Sequence, residues 1–197
     1  YGKMGRINSP FPRGRRHQVV MPDGATSTFD VFEPTKPHPS GGDYSLLICP
    51  GIANSSESLY ICTCVHYAQE KGYRVAVLNH LGALKDVPLT APRVFTYGDT
   101  EEFGAMVDRM RTLYPGHIAI GVGFSMGGNI LLKYLGENKQ NQQKVVAAMS
   151  CCQGYDVERA VPALLSWEHA RRAYHWAMCL NMQSLLRFHQ EQLLSPA

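Results

Sequence analysis

The chain has 197 residues, of which 45% are hydrophobic, and it carries a formal net charge of +3. This hydrophobic content suffices for one packed domain, and so small a charge argues against a nucleic-acid partner. The six cysteines include no Cys-x-x-Cys pair, so neither a zinc site nor a disulfide framework is expected. No metal and no cofactor are predicted.

The predicted elements begin with an irregular arm over residues 1–14, which is rich in Gly, Pro and Arg. A β-hairpin is predicted over residues 16–32, because the Asp23-Gly24 pair is typical of a tight turn between strands. The cluster Arg13, Arg15, Arg16 and His17 lies where the arm meets this hairpin. A solvated arm is the favoured interpretation of that cluster, and contact with anionic lipid is the alternative.

Between residues 44 and 151, apolar runs alternate with segments of helical periodicity. The predicted strands are residues 44–49, 73–79, 117–124 and 144–151, and the predicted helices are residues 58–71, 99–114 and 127–136. This alternation predicts an α/β fold, with a mostly parallel sheet and helices on both faces. Cys49, Cys151 and Cys152 lie within the apolar runs and are predicted to be small buried residues.

Residues 153–197 have a different character, because the strand signal disappears after Cys152. Their apolar spacing predicts two or three amphipathic helices, which either begin a cap over the site or pack on the sheet. The predicted organisation is therefore an irregular arm (1–14), the N-terminal part of an α/β domain (15–152) and a helical segment (153–197). No segment has the length of a membrane span.

The pentapeptide Gly123-Phe124-Ser125-Met126-Gly127 follows an apolar strand and precedes a helix with an apolar face. This G-x-S-x-G context is typical of a nucleophile elbow of the α/β-hydrolase fold, which holds a serine hydroxyl at the tip of a sheet. Ser125 is therefore the predicted nucleophile. The backbone N–H of Met126, at the start of the helix, is predicted to stabilise an oxyanion.

The second oxyanion donor is expected in the loop that follows the strand at residues 44–49. Pro50-Gly51-Ile52 lies there, and the backbone N–H of Ile52 is the predicted donor, whereas the alternative is an ordinary turn that ends the strand. His80 follows the next strand, on the same edge of the predicted sheet. A hydrogen bond within its loop is favoured for His80 over a role in lining the pocket.

A serine nucleophile also requires a base and an orienting acid, and on this fold both follow the serine in the chain. Asp156 is the carboxylate nearest to the end of a predicted strand, and the histidines beyond Ser125 are His169, His175 and His189. None has a convincing position beyond a strand. The favoured hypothesis is that the acid and the base are not in this chain, which is truncated before the last strands of the sheet.

The elbow, the run Ile48-Cys49-Pro50-Gly51-Ile52-Ala53-Asn54 and the run Leu78-Asn79-His80-Leu81-Gly82-Ala83-Leu84 together resemble the abhydrolase-domain acylglycerol lipases. The residues 23–30 and 95–98 share this resemblance. It implies an α/β-hydrolase with a Ser-Asp-His triad that hydrolyses monoacylglycerols and related carboxylic esters. It also implies a membrane-associated protein whose span precedes residue 1. The serine of that triad corresponds to Ser125, and the aspartate and histidine would lie beyond residue 197.

The sequence therefore predicts a serine ester hydrolase with a lipid ester as substrate. The rival hypothesis is a non-catalytic member of the fold that binds a lipid or another ligand and keeps the elbow as scaffold. A third is a different acyl chemistry, such as thioester hydrolysis or acyl transfer, because the elbow alone does not select the substrate.

Overall fold

A computed structural model describes residues 11–194, and its centre is a mixed, mostly parallel β-sheet. The strands are β1 (Arg15–Val20), β2 (Thr26–Phe32), β3 (Tyr44–Cys49), β4 (Arg74–Asn79), β5 (Ile118–Phe124) and β6 (Ala147–Cys151). Their order across the sheet is β1-β2-β4-β3-β5-β6. Strands β3 to β6 run parallel to one another, while β2 is antiparallel to both β1 and β4.

The predicted hairpin is confirmed between β1 and β2. The Asp23 side chain accepts a hydrogen bond from Ala25 N–H at 3.0 Å, and Gly24 adopts a φ of 85°, which glycine tolerates without a steric penalty. Of the predicted arm, residues 1–10 lie outside the described residues, and residues 11–14 belong to no helix or strand.

The helices cover both faces of the sheet, as predicted. They are α1 (Leu59–Glu70), α2 (Glu101–Leu113), α3 (Met126–Glu137), α4 (Lys139–Lys144), α5 (Val157–Leu165), α6 (Arg171–Phe188) and α7 (Gln190–Leu194), with a short 3₁₀ helix at Glu168–Ala170. On one face, α1 packs Ile61 and Val65 against Ile48 of β3. On the other face, residues of α2 and α3, including Phe103 and Leu131, share a core with Leu47.

One predicted strand begins later than expected. Residue 144 is the last residue of α4 rather than part of a strand, because the Asn138 side chain caps this short polar helix by accepting a 2.8 Å hydrogen bond from Asn141 N–H. The strand itself, β6, starts at Ala147 and occupies one edge of the sheet within residues 11–194. Its apolar side chains are therefore poorly covered, and Met149 is 62% exposed.

The prediction that all three cysteines in apolar runs are buried is wrong for the two near β6. Cys49 is fully buried in the central strand β3, but Cys151 is only partly buried and Cys152 is exposed. Cys152 follows the last residue of the edge strand and has a φ of 55°, so the chain turns away from the sheet there. Apolar character alone does not distinguish an edge strand from a central one.

Residues 157–194 are largely helical, as the spacing predicts, but they contact the rest of the domain mainly near the end of α6. Met182 and Leu185 pack against the main core, and His189 is buried beside the loop that follows β4. Trp167 and Trp176 are 78% and 64% exposed. Within the described range, no helix is both long and apolar enough to span a membrane.

Candidate active site

Ser125 occupies the sharp turn between β5 and α3, and its residue is exposed. Its backbone angles, φ 52° and ψ −122°, lie in a region that a residue with a side chain rarely adopts. Hydrogen bonds hold this conformation: Ser125 N–H donates to the Cys151 carbonyl at 2.8 Å, and Gly128 N–H donates to the Ser125 carbonyl at 2.9 Å. The geometry is that of a nucleophile elbow.

The two glycines of the motif are required by close approach of the backbone. A Cβ atom on Gly123 would lie 2.5 Å from the carbonyl oxygen of Gly127, in the first turn of α3. A Cβ on Gly127 would overlap the carbonyl oxygens of Cys49 and Pro50. The second contact places the start of α3 directly against the loop that follows β3.

That loop contains the predicted donor Ile52 and lies beside Ser125. A Cβ built on Gly51 would be 3.5 Å from the Ser125 Cβ, so the two segments are in contact range. In the described part of the chain, the N–H groups of Ile52 and Met126 have no hydrogen-bond acceptor. Both amides are therefore available to a bound oxyanion, although their convergence on one point remains a prediction.

His80 forms a structural hydrogen bond, but its side chain bonds to the loop that follows β3 and not, as predicted, within its own loop. The side chain is buried, and its Nε2 lies 2.9 Å from the carbonyl oxygen of Pro50. Burial lowers the pKa of His80 to about 4, and the Pro50 hydrogen bond opposes this only in part. His80 is therefore neutral at pH 7 and is positioned to support the loop rather than to titrate.

Asp156, His175 and His189, three of the four candidates for an acid or a base, each have a partner other than Ser125. Asp156 caps α5, accepting a 3.2 Å hydrogen bond from Arg159 N–H and forming a 3.3 Å ion pair with the Arg159 side chain. His189 Nε2 lies 3.0 Å from the Gly82 carbonyl oxygen, and His175 Nε2 lies 3.6 Å from the Cys179 sulfur. His169 belongs to the short 3₁₀ segment, where its φ is 51°.

Within residues 11–194, the Ser125 hydroxyl forms no hydrogen bond. The same part of the chain contains no group of three or more His, Cys, Asp or Glu side chains arranged to hold a metal ion. The described residues thus place an exposed serine beside two amides that have no acceptor.

Three polar side chains near the elbow were not singled out by the sequence analysis. Tyr97 Oη donates to Asn129 Oδ1 at 3.0 Å, and Asn129 Nδ2 donates to the Gly154 carbonyl at 2.8 Å, which ties two loops to the first turn of α3. Tyr60, in the first turn of α1, accepts a 2.9 Å hydrogen bond from Gly51 N–H. Asn129 lies two residues after the G-x-S-x-G motif, so its position in the sequence could have indicated it. Nothing in the sequence around Tyr60 indicates that it lies near the elbow.

A strained, exposed serine between a parallel strand and a helix defines the class of α/β proteins built around a nucleophile elbow. A family model described as "alpha/beta hydrolase fold" matches residues 44–195. The chain therefore belongs to the α/β hydrolase family. The match covers the parallel strands β3 to β6, the elbow and the described C-terminal helices.

The chain is also similar to individual curated proteins. "Monoacylglycerol lipase ABHD2" of Mus musculus is 54% identical over 193 residues, which cover 98% of this chain and 45% of the relative. "Abhydrolase domain-containing protein 2" of Drosophila melanogaster is 45% identical over the same share of this chain and 48% of its own length. The chain thus spans about half the length of the curated relatives that it matches.

Solved structures of low sequence identity share the fold. The esterase Pf2001 of Pyrococcus furiosus matches with a TM-score of 0.58 at 14% identity, covering 93% of this chain and 68% of the esterase. At this identity the similarity concerns the fold alone.

Proposed function

We propose that the full-length protein that contains this chain is a serine ester hydrolase, with Ser125 as its nucleophile. The observation that carries the proposal is the elbow itself: an exposed serine held at φ 52° beside two amides without acceptors. Strained backbone that is held by surrounding hydrogen bonds is typical of functional sites. A scaffold without catalytic use would not need to keep this conformation at a serine.

In the proposed mechanism, the Ser125 oxygen attacks the ester carbonyl while a base takes its proton. The carbonyl oxygen becomes an oxyanion, which accepts hydrogen bonds from the N–H groups of Ile52 and Met126. The tetrahedral intermediate collapses, the alcohol leaves with a proton from the base, and an acyl-enzyme remains. Water, deprotonated by the same base, then releases the fatty acid and restores Ser125. The base and its orienting acid are proposed to be supplied by residues outside this chain.

Monoacylglycerols and related carboxylic esters are the proposed substrates. The support is the 54% identity to proteins named monoacylglycerol lipase, together with the elbow geometry. Association of the full-length protein with a membrane is also proposed, on the sequence resemblance alone. Fractionation of cells, with extraction of the membrane pellet by alkaline carbonate, tests that second proposal.

The decisive experiment is labelling of the full-length protein with a fluorophosphonate, which reacts with activated serines, in parallel with release of fatty acid from a monoacylglycerol. Ser125→Ala is expected to abolish both signals. Ser184→Ala is the matched control, because Ser184 is an exposed serine on α6 and should leave both unchanged. A protein that binds monoacylglycerol without labelling or hydrolysis would instead support the non-catalytic alternative.

A further inference from the structure

The peptide unit that joins Pro50 to Gly51 is held from both of its edges. The Pro50 carbonyl oxygen lies 2.9 Å from His80 Nε2, and Gly51 N–H donates to Tyr60 Oη at 2.9 Å. Because a peptide unit is planar, two hydrogen bonds on opposite edges fix the direction in which the plane faces. The next amide in the chain is the N–H of Ile52, the proposed oxyanion donor.

His80 is the donor in the hydrogen bond to this carbonyl. A carbonyl oxygen can only accept, so His80 must carry its proton on Nε2, and a neutral ring can do so. The side chain is only 2% exposed and its ring packs against Phe95, with 5.3 Å between ring centroids. His80 follows β4, which is parallel to β3, so both loops emerge at the same edge of the sheet.

Tyr60 is fixed on the opposite side. Its ring packs edge-on against Phe124, the residue before the nucleophile, with centroids 5.4 Å apart. Gly51 is buried, so its N–H could not easily find water in place of the Tyr60 oxygen. A Cβ atom built on Gly51 would lie 3.5 Å from both the Tyr60 hydroxyl oxygen and the Ser125 Cβ, so the clamp is adjacent to the nucleophile.

We propose that Tyr60 and His80 are positioning residues that clamp the Pro50–Gly51 peptide and thereby present the Ile52 N–H to the oxyanion at Ser125. This inference rests on the proposed function, because that function supplies the reaction. The clamp acts on the transition state and the tetrahedral intermediate, since the bound ester itself carries no oxyanion. Its loss should lower kcat and leave substrate binding nearly unchanged.

The first test is Tyr60→Phe in the full-length protein, which removes the acceptor but keeps the ring against Phe124. Misplacement of one oxyanion donor is expected to lower kcat about 10- to 100-fold, with KM changed less than about 2-fold. Affinity for an alkyl trifluoromethyl ketone, which forms a tetrahedral adduct with the serine, should fall in parallel with kcat. Tyr67→Phe is the control, because Tyr67 lies on the same helix and is 62% exposed.

The second test separates the clamp from a direct role of Tyr60. His80→Gln can place an amide N–H near the position of Nε2 and should retain most of kcat, whereas His80→Asn is one methylene shorter and should lower kcat as Tyr60→Phe does. An unchanged kcat in Tyr60→Phe would overturn the inference. A loss in Tyr60→Phe with none in a folded His80→Asn would also overturn it, because Tyr60 would then act on the substrate directly.

Two further outcomes are distinguishable. If His80→Asn fails to fold, Tyr60→Phe is combined with Ile52→Pro, which deletes the proposed donor; Tyr60 is 40% exposed, so its truncation does not open the core. A clamp that acts through the Ile52 N–H should lower kcat no further in the double variant, and a full further loss would overturn the inference. Absence of Ser125 labelling in the unmodified protein would overturn the proposed function and the clamp together. Normal labelling and hydrolysis, with an unaffected Tyr60→Phe variant, would overturn the clamp alone.

Discussion

Two glycines of α3 provide a matched test of the elbow geometry. A Cβ on Gly127 would overlap the carbonyl oxygens of Cys49 and Pro50, which are backbone atoms and cannot rotate away. A Cβ on Gly136, in the last turn of the same helix, would meet no atom within 4 Å. The same substitution, glycine to alanine, is therefore expected to have opposite effects at the two positions.

The magnitudes follow from the two environments. Alanine stabilises a helix by about 0.5–1 kcal/mol relative to glycine, and Gly136→Ala should show this gain in the free energy of unfolding. At Gly127, overpacking adds a cost of about 1–3 kcal/mol, at the upper end because the clash is with backbone. Gly127→Ala should therefore lower the free energy of unfolding by about 2 kcal/mol after the helix gain.

The assay is urea unfolding of the full-length protein, with comparison of midpoints at equal m-values. Fluorophosphonate labelling provides a second measurement, because the clash in Gly127→Ala pushes the 50–52 loop away from Ser125. Slower labelling is expected in Gly127→Ala and unchanged labelling in Gly136→Ala. If Gly127→Ala were as stable as Gly136→Ala, the close approach of α3 to this loop, and the elbow geometry that depends on it, would be refuted.

Other predictions concern the proton balance and the chemistry of the site. Burial lowers the pKa of His80 to about 4 from an ordinary 6.5. Between these pH values the unfolded state binds a proton that the folded state does not. The contribution of neutral His80 to the free energy of unfolding should therefore be fully present above pH 6.5 and should fall by up to about 3 kcal/mol towards pH 4. Urea midpoints against pH, compared with His80→Gln, check this, and identical slopes in the two proteins would contradict it. Ile52→Pro, which deletes the N–H, should lower kcat about 10²–10³-fold while Ile52→Val does not; equal kcat values would exclude this amide as a donor. Residues 1–197 expressed alone should show no measurable ester turnover, because loss of the base alone costs about 10⁶ in kcat in a serine protease. Turnover that disappears when one of the three C-terminal histidines is replaced would show that the base is within this chain.

The sequence by itself determined the local elements and the elbow. The predicted strand at residues 44–49 coincides with β3, and Ser125 lies between a strand and a helix as the G-x-S-x-G context predicts. These features are encoded over short distances along the chain, by runs of apolar residues, by helical spacing and by glycines where no Cβ fits. The family resemblance is likewise carried by contiguous motifs; the family model confirms the α/β hydrolase fold, and the similarity to named relatives confirms the resemblance itself.

The tertiary structure alone decided how distant segments meet. β4 lies between β2 and β3, so the loop that carries His80 comes beside the loop that carries Pro50, and α1 brings Tyr60 to the other side. The exposure of Cys152 depends equally on β6 being an edge strand within the described residues. Strand order and side-chain contacts arise from pairings between residues far apart in sequence, and periodicity reports which face of an element is apolar without naming its neighbour.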